Sequence, residues 1–127
     1  MTPPMHTRVR NYLVEAGLTT GFITQLLMWN DTGKLSDSFI VFRPGGGTSI
    51  DEVISSEYYV KVDVVGAKGG SGLVDSTVQA IVEHVKLNPT GSRCLGQITN
   101  VGGIPTPNFT TEGRLVYGLL FSCLYGE

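Results

Sequence analysis

Charge is scarce in this sequence. Nine Lys and Arg face eleven Asp and Glu, so only 16% of residues are charged and the formal net charge is -2. That balance provides neither the basic footprint of a nucleic-acid binder nor an acidic tail, and it argues against DNA or RNA as a partner. Cysteine is equally sparse: Cys94 and Cys123 stand alone, without the paired spacing of a zinc site or a redox motif, and read as buried, reduced thiols. No apolar run reaches the ~20 residues that a membrane span needs, and the opening "MTPPMHTRVR" has no apolar core of the kind a signal peptide carries. The expectation is a soluble chain made in a cytoplasm, with no membrane partner. Histidine is limited to His6 and His84.

The 127 residues are 41% hydrophobic, enough for one core, and no repeat or linker divides them. A single domain over residues 1–127 is expected, with residues 1–6 flexible. Because charge is low, Gly, Ser, Thr and apolar groups make up much of the surface. That suits a subunit partly covered by partners.

Periodicity sets the order of elements. In "TRVRNYLVEAG", Val9, Tyr12, Leu13 and Ala16 recur at helical spacing, with Thr7 placed to cap and Gly17 to end the helix. "FITQLLMW" and "SFIVFR" read as strands around the turn formers of "NDTGKLSD", which predicts a hairpin from Phe22 to Arg43. Tyr58, Val60, Val62 and Val64 alternate with Lys61 and Asp63, so one face of the third strand should be wet. Val74, Val78, Ile81, Val82 and Val85 form a helical stripe broad enough to cover the other face. Asp75 and Lys86 complement that helix's dipole, and Pro89 limits its extension. Two further strands, "CLGQITNV" and "RLVYGLLFSCLY", flank the long loop "GGIPTPNFTTEG". The fold class is therefore α+β in the order α-β-β-β-α-β-β: a mixed or antiparallel sheet of about five strands with two helices on one face.

Catalytic patterns were tested against this layout. Gly66 to Gly72 join a strand to a helix, the order in which phosphates are cradled. However, Lys68 precedes Gly69 and Gly70 instead of following them, and Asp75 occupies the third glycine position of a dinucleotide fingerprint. The loop is expected to act as a flexible connector. His84 lies near a helix end beside Glu83 and reads as solvated and favourable to the dipole. The neighbours Asp51 and Glu52 could be a metal or acid/base pair, though loop solvation is the commoner role. "FRPGGGTS" offers either an anion site at Arg43 or a glycine-rich bend, and Trp29 either packs or lines an interface.

Across nearly the whole chain, the segment "RVRNYLVEAGLTTGFITQLLMWNDTGKLSDSFIVFRPGGG", then "EYYVKVDVVGAKG", the amphipathic helix and "TTEGRLVYGLLFSCLYGE" resemble phage tail terminators of enteric phages and prophages. The resemblance implies a structural protein with no enzymatic activity, cofactor or metal. It implies a hexameric ring of copies on the head-proximal end of the tail tube, with the tube protein and a head-completion protein as partners. It also implies assembly in the host cytoplasm and a final place at the head–tail junction. On loop position, Arg43, Asp51, Glu52, Pro105 and Phe109 are candidates for the oligomer and tail interface. Arg43 would pair with Asp51 or Glu52 of the next subunit, and Phe109 would supply apolar contact. A different phage tail or neck subunit, and a small ligand-binding α+β domain, remain as rival readings at this stage.

Overall fold

The computed structural model describes residues 4–47, 58–88 and 95–125. The chain runs α1 (Met5–Glu15), β1 (Ile23–Leu26), β2 (Phe39–Gly47), β3 (Tyr58–Val65), α2 (Ser71–Leu87), β4 (Leu95–Val101), β5 (Asn108–Phe109) and β6 (Leu115–Tyr125). The strands form one mixed sheet in the order β1-β2-β3-β6-β4, and the short β5 also pairs with β6. Two helices lie on one face of the sheet, so the α+β class and the element order agree with the expectation.

Strand alternation places Ile40, Phe42, Val60, Val62, Val64, Leu119 and Phe121 on the helix-facing side, all fully buried. Met5, Val9, Tyr12 and Leu13 of α1 and Val74, Val78, Ile81 and Val85 of α2 join them in one core. At roughly 1.5–3 kcal/mol per fully buried large apolar side chain, this layer is the main stabilising term. Tyr12 also donates its hydroxyl to the Asn88 carbonyl at 3.0 Å, tying α1 to the end of α2.

The ends of α1 differ from expectation at one side. The helix starts at Met5, directly after Pro4, and Thr7 makes no capping bond; Pro at the start already fixes the helical entry. The other end matches the sequence signal. Gly17 has φ +75, its N–H donates to the Val14 carbonyl, and Leu18 N–H reaches back to Leu13. That is a Schellman closure with its apolar pair, Leu13 and Leu18, in contact with the core.

The predicted hairpin is corrected. β1 and β2 pair in parallel, Ile23 beside Phe39 and Leu26 beside Phe42. The turn chemistry is present, since Asp31 Oδ1 accepts the Gly33 N–H at 3.0 Å and Gly33 has φ +83. It lies inside a crossover, residues 27–38, about as long as a parallel connection requires. The reason is burial: Phe39, Val41 and Val65 form a second cluster on the far side of the sheet, and the crossover lays Trp29 over it. A tight hairpin would leave that cluster in water. The far face is therefore only partly wet.

β2 also runs further than expected. Pairing continues through "PGGG", with a register shift between Pro44 and Gly47 before Gly47 meets Tyr58. Pro and Gly are tolerated there because the bulge removes the ladder bonds they would break.

Candidate interaction surfaces

Arg114, just before β6, is the largest fully buried side chain among the described residues, and no sequence motif marks it. Its guanidinium donates to three backbone carbonyls: Asp37 at 2.7 Å, Lys34 at 2.8 Å and Gly66 at 3.3 Å. Glu112 lies 3.3 Å from Nε and Asp31 3.5 Å from Nη2, while Trp29 and Phe39 place their rings 5.7 and 5.6 Å from the charge. A planar fork with five donors can meet acceptors on several sides at once, which a lysine cannot. The arginine thus clasps the crossover onto the sheet. A charged residue before an apolar strand reads as solvated, so only the three-dimensional crossover reveals this role.

The glycine loop before α2 is also tied down. Gly66 N–H donates to Leu115 O at 2.9 Å, Lys68 N–H to Leu35 O at 2.8 Å and Gly70 N–H to Ala67 O at 2.9 Å, while Ala67 N–H donates to Ser38 Oγ at 3.1 Å. Four amides of the loop itself are thus engaged within the chain. The expected flexible connector is instead an anchored turn, and Gly69 supplies its left-handed residue with φ +77. Asp75 is not in the first turn of α2; it accepts the Tyr117 hydroxyl at 3.2 Å, and burial, followed by this bond, pushes the tyrosine pKa up.

Titratable groups elsewhere serve packing. His84 lies 5.2 Å from the Tyr12 ring, and burial with Arg10 nearby lowers the pKa of His6 in α1. Burial pushes the Cys123 thiol up to about 12, which keeps it protonated and unreactive. Cys94 lies outside the described residues. Among the described residues, no three His, Cys, Asp or Glu side chains converge as a metal site would require. No described helix is long and apolar enough to cross a membrane.

Of the candidate interface residues, Arg43 sits on the far face of β2 and pairs with Asp63 of its own chain at 2.6 Å, with over a third of its side chain exposed. Asp51 and Glu52 lie outside the described residues. Pro105 is half-buried, and Phe109 projects from β5 with 69% of its surface exposed. Register sets them apart: Arg43 is level with Lys61 and Leu120, midway along β6, whereas Phe109 pairs with Leu115 at its start. Further apolar exposure, missed in the sequence, occurs at Leu27 (57%) and Met28 (63%) after β1.

The described residues define a small α+β domain whose buried polar groups hold the fold and whose exposed features are apolar edges and loops. The chain belongs to the phage tail termination protein family, whose sequence model matches residues 2–127. It is accordingly a structural protein of a phage tail. Among solved structures, a chain of the "virion of native gene transfer agent (GTA) particle" has the same fold, with a TM-score of 0.57 at 14% identity over 96% of this chain and 91% of that one. No curated protein sequence matches this chain.

Proposed function

We propose that the chain caps the head-proximal end of the tail tube as a ring of six copies, ends tube growth and presents the surface to which the head is joined. The observation that carries this reading is the family match, which takes in both helices and all six strands of the described residues. The topology supports it. The sheet ends in β1 on one side and in β4 with β5 on the other, so each copy offers a different edge to each neighbour, as a closed ring requires. Its partners would be further copies, the tube protein and a head-completion protein, with assembly in the host cytoplasm before incorporation at the head–tail junction. The virion origin of the structural neighbour supports a place in the particle and no finer position. Arg43, Asp51, Glu52, Pro105 and Phe109 stay candidates for the contacts.

Deleting the gene from its phage and imaging the lysate tests the proposal. Overlong tails without heads are expected. Tails of normal length, or normal tails beside unfilled heads, would point to another neck subunit.

A further inference from the structure

Leu27 is the one non-glycine with positive φ among the described residues, at +74. It is the centre of a three-residue turn closed by Met28 N–H donating to Leu26 O at 2.9 Å, while its own N–H donates to Phe42 O at 2.9 Å. Few L residues adopt this conformation, and it persists only where surrounding structure enforces it. Here the enforcement is visible. Gln25 holds Asn30 through two hydrogen bonds, 2.7 and 2.9 Å, and Arg114 clasps the rest of the crossover. The outcome is a rigid knuckle that holds Leu27 and Met28 in water at the sheet's β1 edge.

On the opposite edge, a groove of about 310 Å³ lies between α2 and β4, lined by Val82, Lys86, Ile98, Thr99 and Asn100. Val82 and Ile98 are its apolar lining beside the polar Thr99 and Asn100, and its rim carries the exposed Lys86, while the crossover carries Asp31 just beyond the knuckle, a third exposed. Strand register brings the two features nearly level: Leu27 follows the row of Phe42, Val62 and Leu119, and Asn100 lies in the adjacent row of Phe121 and Val60.

We infer that the Leu27–Met28 knuckle of one copy seats in the α2–β4 groove of the next. The two patches differ, so the contact is head-to-tail. Because they lie at nearly the same level along the strands, successive copies are related with little rise, which suits closure into a ring over an open helix. Preorganisation by the clasp lowers the ordering cost of docking. The inference rests on the capping proposal only in requiring that copies meet.

Sedimentation at rising concentration tests it with two variants. Leu27→Gly keeps the turn, since glycine accepts positive φ, and deletes the knuckle's side chain. Lys86→Trp covers the groove from an exposed position on α2. The wild type should associate, and each variant alone should need about tenfold more protein or greater to do so, as loss of a central apolar contact requires. An equimolar mixture should give heterodimers and nothing larger, because each pair retains one intact contact. Thermal melting confirms folding, and Met28→Ser replaces Leu27→Gly if that variant unfolds. A variant that associates as the wild type does, a mixture that stays monomeric, or a monomeric wild type overturns the inference. Normal tails in the gene deletion would remove the capping role and leave this sedimentation result to stand or fall separately.

Discussion

Arg114 shows how one side chain can determine a local topology. It is wholly buried, and its partners are mostly carbonyls of the crossover, so removing it would leave acceptors desolvated and Asp31 and Glu112 without their cation. Arg114→Met should cost about 3–5 kcal/mol in chemical denaturation, the range for breaking a buried ionic network. Arg114→Lys should recover only part of it, because a point charge cannot reach carbonyls on both sides of the fork. Gly66 is constrained differently: a Cβ there would overlap Val74 Cγ2 in the core, and valine is stiff at χ1. Gly66→Ala should therefore lower stability by about 1–3 kcal/mol, as overpacking does. A melting temperature equal to the wild type's would show that the turn can shift to make room.

At the scale of elements, the helices and three central strands were legible in the sequence because burial imposes a period there. Val60, Val62 and Val64 alternate, and Val74, Val78, Ile81 and Val85 recur at helical spacing; all seven are buried. The β1–β2 pairing was not legible. "NDTGKLSD" has the composition of a hairpin turn, and nothing local distinguishes it from a turn within a crossover; the deciding contacts, Trp29 on Phe39 and Arg114 beneath, are long-range. Nor was the knuckle, since only backbone geometry reveals the positive φ at Leu27. The start of α1 was misjudged because Pro4 replaces the usual side-chain cap.

That start carries a pH prediction. His6 lies in the first turn of α1, where burial and then the Arg10 charge lower its pKa below the ordinary 6.5. A depressed folded pKa means that the unfolded chain binds the proton first. Stability is thus retained above about 6.5 and falls as pH drops from there through the folded value. His6→Gln should flatten that part of the stability–pH curve. An unchanged slope would assign the acid loss to other groups.

For the whole molecule, the proposed contacts lie apart from the groups that hold the domain. Arg43 tests the boundary, because its pair with Asp63 is partly exposed and such pairs are worth only about 0.2–1 kcal/mol. Arg43→Ala should fold with stability within about 1 kcal/mol of wild type. If Arg43 also faces a neighbouring subunit, the folded variant should cap tails poorly. Normal capping by that variant would confine Arg43 to its in-chain pair.

Capping requires the protein to occupy one end of the tube and to stop growth there. Purified chain bearing a gold label on an added C-terminal tag, mixed with polymerising tube protein and imaged by electron microscopy, tests this most directly. Label at a single end of each tube is expected, with a length distribution that stops advancing once the protein is added. Label scattered along the tubes, or unlabelled tubes that continue to lengthen, would contradict it.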